Sequence, residues 1–406
     1  MKLINFFLIY KSRLKKYIYV KKMSVEIDEK YRKVAQILNK AGGSPRVTEN
    51  TIKTLKMSIS EDNLDFLMAF KKKISLTMEE LKESIAKFCE KSYTEEEILK
   101  IVKELAGLGV MFDQPNRSGV MVFQLAPIFR QYEYQFMKKL EKTPRNMELA
   151  RLFLQSEVDL GDFMMSLKDL PTIMKRLPGQ DRTIPIRENK ETGEEIKIIV
   201  NEELETPEEK ILNIQDVKDL IEKYDDIAVG HCYCRQAREF ITGEECKQHS
   251  PGESCMTLGK SARHTAKHGF ARLVTKEEAL DILKEIEAAG LVHKAYHLRS
   301  DVNKDEVAIC NCCSCCCPTS TQHAKYPSVN LSNYIAEVDQ DACTGCGTCV
   351  DKCFNSVLEL NDDDKAERVG EDCIGCGVCA YFCPENAINL IEGPLRRINI
   401  LPPQKV

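Results

Sequence analysis

Along the first third of the chain, apolar residues recur at steps of three and four, the spacing that gathers side chains onto one face of an α-helix. Leu64, Leu67 and Met68 begin one stripe, Leu81, Ile85 and Phe88 a second, and Ile98, Ile101, Val102 and Leu105 a third. The second and third each follow a capping box, Thr77 with Glu80 and Thr94 with Glu97, which satisfies the backbone donors that open a helix. Gly107 and Gly109 supply the stop. The period then changes: short apolar runs at 110–112 and 120–125 flank Pro115-Asn-Arg-Ser-Gly119, which predicts a hairpin. Farther on, 148–160, 215–224 and 276–289 read as helices, the last closed by Gly290 ahead of a strand-like 291–293, and 196–200 is strand-like. Pro171, Pro178-Gly179 and Pro185 break the intervening chain into turns, and the polar stretch 189–193 reads as a solvent-exposed loop.

This order of elements predicts an α+β, multidomain chain. Helices followed by a hairpin over 27–125 predict an N-terminal winged-helix-like helical domain. A connecting region, helical then mixed, covers 126–205. A central mixed α/β cysteine-rich domain covers 206–330, and a second cysteine-patterned domain covers 331–395. Residues 1–22 are basic, precede the first acidic residue at Glu26 and carry no secretory cleavage site. They read as a non-native extension ahead of a start at Met23, with a peripheral membrane anchor or a plain tail as alternatives. Winged helices often bind DNA, but here the third helix opens Thr94-Glu95-Glu96-Glu97, setting three carboxylates where phosphates would be met. Lys71, Lys72 and Lys73 read as a solvated helix end. A protein-docking or structural role is expected for this domain.

Composition narrows the class. The 406 residues carry a net charge of −5, so no bulk electrostatic case exists for nucleic acid or a membrane surface as partner. No apolar run approaches the ~18 residues of a bilayer span, and no transmembrane segment is expected. Nineteen cysteines without a secretory signal argue for a reducing cytoplasm, where thiolates meet iron before they meet each other. A Walker loop, a G-x-G-x-x-G after a strand and a nucleophile elbow are all missing, which leaves a nucleotide or flavin site unsupported.

Eight cysteines form two identical runs, Cys343, Cys346, Cys349, Cys353 and Cys373, Cys376, Cys379, Cys383, each spaced C-x2-C-x2-C-x3-C. Three thiolates at steps of three wrap a short loop around three corners of a cube, and a fourth must arrive from elsewhere. Zinc knuckles usually pair two C-x2-C elements across a longer loop, and disulfides are uncommon in reducing compartments. Gly345, Gly347, Gly375 and Gly377 let the backbone turn tightly and bring amide hydrogens close to sulfur. The segment 334–391, with Cys343-Thr-Gly-Cys-Gly-Thr-Cys-Val-Asp-Lys-Cys353 and Cys373-Ile-Gly-Cys-Gly-Val-Cys-Ala-Tyr-Phe-Cys383-Pro384, resembles bacterial-type two-cluster 4Fe-4S ferredoxins. The resemblance implies two 4Fe-4S clusters with crossed ligands: Cys343, Cys346, Cys349 and Cys383 around one, Cys373, Cys376, Cys379 and Cys353 around the other. Apolar stretches at 357–360 and 387–391 would follow each run as strands. One departure is visible: the second run is followed by Pro384, the first by Phe354.

A second concentration is less familiar. Cys310-Asn-Cys312-Cys313-Ser-Cys315-Cys316-Cys317 packs six thiols into eight positions, and upstream lie His231-Cys232-Tyr-Cys234-Arg235, Cys246 and Cys255. Neighbouring thiols in an extended segment point to opposite sides, so they divide their duties. An extended run would put Cys313, Cys315 and Cys317 on one face; a helical turn would gather Cys312, Cys315 and Cys316. A third iron–sulfur centre drawing on Cys232, Cys234, Cys255 and part of the 310–317 run is the preferred expectation, with zinc or a redox-active thiol cluster as alternatives. The C-x-C-Arg element and the 309–317 segment also resemble a group of ferredoxin-fused iron–sulfur proteins, which implies metal binding without naming a reaction. His264 and His268, one helical turn apart, are expected in hydrogen-bonding or solvated roles.

The reading that joins these features is a multi-cluster iron–sulfur electron-transfer protein, passing low-potential electrons to or from a partner redox protein. Two alternatives stay open: a redox-sensing transcription regulator that uses the winged helix, and a catalytic oxidoreductase with its site in the cysteine-rich domain. The oligomeric state is not legible in the sequence.

Overall fold

The computed structural model describes residues 26–42, 47–116, 118–200, 216–319 and 324–403. The expected extension 1–22 and the expected boundary at 205/206 lie outside the described residues. The chain is α+β and divides into two compact units, 1–132 and 133–406.

In the first unit the capped stripes become helices. A helix over 26–39 is followed by Glu49–Ser58, Glu61–Leu67, Met78–Phe88 and Glu95–Gly107. Thr77 and Glu80, then Thr94 and Glu97, form reciprocal capping boxes. Their apolar faces, with Leu81, Ile85, Ile98, Val102 and Leu105, close on Phe66 and Phe70 in one core. Strands β1 (Ser75–Leu76), β2 (Met111–Pro115) and β3 (Met121–Leu125) form an antiparallel sheet in the order β1-β3-β2. The acidic helix start is engaged locally: Lys82 Nζ lies 2.6 Å from Glu95, and Glu97 accepts from the Thr94 backbone.

The second unit is built on a sheet that, among the described residues, has nine strands. They are β4 (Asp181–Ile184), β5 (Ile198–Val200), β6 (Ile227–His231), β7 (Glu253–Leu258), β8 (Arg272–Val274), β9 (Val292–His297), β10 (Glu306–Cys312), β11 (Ser328–Val338) and β14 (Ile388–Ile400). The short pair β12 (Leu358–Leu360) and β13 (Ala366–Arg368) stands apart. The order is β5-β14-β11-β4-β9-β10-β7-β6-β8, antiparallel except for β4 beside β11 and β5 beside β14. Helices Val217–Lys223 and Lys276–Ala288 lay Leu220, Ile221, Leu283 and Ile286 over Ile227, Val229, Met256 and Ile309. Gly290, at φ +73°, turns the second of these helices into β9.

Two features of this sheet position the cysteines. The strands that bracket the doubled cysteine runs, β11 and β14, pair with each other and continue through β4 into the central strands, so one hydrogen-bonded sheet carries both cysteine regions. The stretch 189–193 is also not a simple solvent loop. Glu191, Thr192 and Gly193 are exposed, but Asn189 turns inward and is 3% exposed. Its amide donates to the carbonyls of Ala380 (3.0 Å) and Cys383 (2.8 Å), while its own oxygen accepts the amides of Glu191 and Thr192. A polar residue with four such bonds is satisfied inside, which polarity read along the chain does not reveal. No helix among the described residues is long and apolar enough to cross a membrane.

Candidate metal centres

The doubled runs fold as two near copies offset by thirty residues. Each run ends in a short helix, Thr348–Lys352 or Val378–Tyr381, and each has a backbone amide aimed at its first and fourth sulfurs. Ala366 donates to Cys343 Sγ (3.4 Å) and Ala336 to Cys373 Sγ (3.4 Å); Val357 donates to Cys353 Sγ (3.3 Å) and Ala387 to Cys383 Sγ (3.3 Å). Such bonds favour the anionic form of sulfur. A Cβ at Gly345 would stand 2.1 Å from the Asp364 carbonyl oxygen, and one at Gly375 would stand 2.3 Å from that of Tyr334, so both positions need glycine.

Two cavities lie within this framework. One is lined by Cys343, Cys346, Cys349 and Cys383; the other by Cys373, Cys376, Cys379 and Cys353. In each, three sulfurs come from one run and the fourth from the other. Burial pushes the Cys349 thiol up to about 11 and Cys376 up to about 12, so both are neutral at pH 7 and release protons when a metal takes them. The cavities differ in setting. Cys346 is exposed, whereas Cys373 and Cys379 are buried.

Phe354 explains the missing proline. It is 3% exposed and packs with Ile186, Ile374 and Val378 in an apolar cluster that also holds Cys312 and Cys317, with Cys376 and Cys310 against its edge. The Lys294 ammonium lies 5.3 Å from its ring centroid. A proline would fill less of this space. The cluster joins the second ferredoxin cavity to the central cysteines.

The ten central cysteines separate into two groups. Cys310 and Cys312 share one face of β10, while Asn311 points the other way and is pinned by Ser254 O (2.7 Å) and His293 Nδ1 (2.7 Å). Cys255 on β7 stands directly opposite Cys310. Cys232 is the N-cap residue of the helix Tyr233–Thr242, and Cys234 lies in its first turn. Side-chain contacts then run Cys234–Cys232–Cys255–Cys310–Cys312–Cys317. Two cations flank this chain. Burial pulls Arg235 down, but Cys232, Cys313 and Cys255 outweigh it and leave the guanidinium raised. The same opposition, with Asp181, Cys312 and Cys317 on the raising side, keeps the fully buried Lys294 charged.

The remaining cysteines of the run go elsewhere. Residues 314–316 make a turn, and the sulfurs of Cys246, Cys313, Cys315 and Cys316 all lie within 4.8 Å of one another. Neither face expected from an extended or helical run is realised, because strand geometry ends at Cys312 and the turn swings adjacent thiols together. Cys246 stood in the sequence without a role. All nineteen cysteines are free of disulfides. His264, one turn from His268, is buried against Tyr134 and Phe270 in an aromatic group.

Paired cavities with crossed cysteine linings and amides on sulfur define the class of a two-cluster iron–sulfur domain. Comparison with known proteins agrees: a family model described as a 4Fe-4S dicluster domain matches residues 342–388. The chain is 32% identical over 60 residues to a subunit of the ion-translocating oxidoreductase complex of Methanosarcina acetivorans, which is 15% of this chain and 23% of that one. It is 55% identical over 29 residues to a probable ferredoxin of Methanosarcina thermophila, 7% of this chain and 50% of that one. The chain thus spans half or less of the length of these curated relatives. No solved structure matches it. The C-terminal segment is a ferredoxin-like iron–sulfur domain.

Proposed function

We propose that this protein is a multi-cluster iron–sulfur electron-transfer protein that exchanges low-potential electrons with a partner oxidoreductase. One observation carries the reading: each ferredoxin cavity is lined by three cysteines of one run and the fourth of the other. In this reading Cys343, Cys346, Cys349 and Cys383 hold one cluster, and Cys373, Cys376, Cys379 and Cys353 hold the second. A bound cubane takes up and gives back one electron, at a potential that four thiolates push down. The amides on Cys343, Cys353, Cys373 and Cys383 offset part of that negative charge. The exposed Cys346 edge is where a partner docks, and Phe354, Ile374 and Val378 keep water from the space leading to the central thiols. A third iron–sulfur centre uses Cys232, Cys234, Cys255, Cys310, Cys312 and Cys317, with Arg235 and Lys294 balancing its charge. The N-terminal unit serves as a winged-helix-like docking or structural module; the local pairing of Glu95 and Glu97 gives a DNA-reading role no support. Anaerobic purification with iron and sulfide quantitation and low-temperature EPR tests the assignment. Two magnetically interacting reduced cubanes are expected. A protein free of acid-labile sulfide would overturn it.

A specific observation favours a second reading, an oxidoreductase acting in the central domain. Glu157 is buried, near enough for its charge to act on Cys234 and Tyr326, its Oε2 lacks a hydrogen-bond partner, and burial raises its pKa to about 8. A carboxyl that is neutral at pH 7 can deliver a proton where an electron arrives. Turnover of an added small-molecule acceptor that Glu157→Gln abolishes, with cluster content unchanged, would select this reading.

A further inference from the structure

The geometry points to a separate mononuclear metal site: Cys246, Cys313, Cys315 and Cys316 together hold a single tetrahedral divalent ion, zinc or ferrous iron. The argument rests on sulfur spacing and is independent of the cluster assignment above. With metal–sulfur bonds of about 2.3 Å, four sulfurs at tetrahedral corners lie about 3.8 Å apart. Here Cys246 and Cys315 are 3.6 Å apart, Cys315 and Cys316 are 3.5 Å apart, and all four sulfurs fall within 4.8 Å of one another. A cubane interposes irons and sulfides between its thiolates and holds them farther apart than one shared ion does. Among the described residues no other three cysteine sulfurs all lie within 4.8 Å of one another, either around the ferredoxin cavities or in the series from Cys234 to Cys317, whose contacts are pairwise. The close quartet has room for one ion.

The site is built rather than accidental. Cys246 sits on the loop after the helix Tyr233–Thr242, and Gln248 fastens that loop at both ends: its amide donates to Gly290 O (3.1 Å), and its oxygen accepts the Ser314 amide (3.2 Å) from inside the cysteine turn. The backbone amides of Gln248 and Lys247 reach the sulfurs of Cys246 and Cys315. One ion with four thiolates carries two negative charges, and Arg235, which feels Cys313, supplies a compensating cation. Four protein sulfurs close the shell and leave no position for substrate, which marks a structural site of the zinc or mononuclear-iron class. Its effect is to lock the 310–317 turn, and with it the direction in which Cys312 and Cys317 leave the turn toward the other group.

The test compares the full chain with Cys246→Ser, both purified anaerobically, by metal and sulfide analysis. The expected result is loss of about one metal atom per chain with sulfide content and the reduced-cubane EPR unchanged; zinc analysis against Mössbauer spectroscopy tells zinc from mononuclear iron. Loss of several irons together with sulfide, or no change in metal content, overturns the proposal. Should the variant fail to fold, the unaltered protein decides: zinc-edge X-ray absorption with four sulfurs near 2.3 Å and no neighbouring metal, or a high-spin mononuclear iron Mössbauer component, supports it. A protein with neither signature overturns it. These outcomes leave the cluster assignment untouched, because labile sulfide reports that separately.

Discussion

The two cysteine regions of this protein solve opposite problems. The ferredoxin runs repeat with an offset of thirty residues, surround cavities and turn backbone amides onto sulfur at matched positions. The central cysteines repeat nothing and draw their sulfurs into contact, with helix 233–242, two buried cations and a carboxyl around them. The difference shows what spacing encodes. A loop that wraps a cube needs local geometry, so its ligands sit at fixed steps; a site assembled from the start of helix 233–242, β7, β10 and two loops needs only that the sheet bring them together. Adjacent cysteines in the second region therefore part company, Cys312 to one group and Cys313 to the other.

The sharpest way to break this comparison is Cys353→Ser. If the runs exchange ligands as their cavities imply, the variant loses the cluster held by Cys373, Cys376 and Cys379, close to half of the ferredoxin EPR intensity, and keeps that of Cys343, Cys346 and Cys349. Damage confined to the Cys343 set would mean the runs are independent.

A smaller effect probes how far the ferredoxin half depends on the connecting region. Asn189→Ala removes the two bonds to Ala380 and Cys383 carbonyls and leaves both without that donor, at a cost of about 1–3 kcal/mol. Iron–sulfur absorbance should bleach faster under an iron chelator than in the unaltered protein. Equal bleaching rates would show that the loop merely rests on the ferredoxin module.

The smallest effect concerns charge in the central region. Glu157 has its carboxyl raised from 4.5 to about 8 by burial, so the folded protein holds a proton that the unfolded chain releases. Its contribution to stability is present below pH 4.5 and is lost as pH rises through 8, at up to ~1.4 kcal/mol per pH unit. Thermal unfolding measured from pH 6 to 9 should fall less steeply for Glu157→Gln than for the unaltered protein. Parallel slopes would place the carboxyl in water.

The sequence by itself determined what depends on neighbours a few residues apart. The capping boxes at Thr77 and Thr94, the helix that ends at Gly290 and the doubled cysteine run are local arrangements of backbone and side chain, and the spacing of residues is their cause. It also carried the presence of a second concentration of thiols, the ten central cysteines between Cys232 and Cys317. Only the tertiary structure decided how those ten divide. Cys246 and Cys316 lie seventy residues apart and meet because a loop and a turn are fastened by Gln248. Asn189 reaches Cys383 across the fold, and Phe354 stands in place of proline in an apolar cluster drawn from five other parts of the chain. Contacts of that kind are set by how the sheet stacks its strands, which no window of sequence contains.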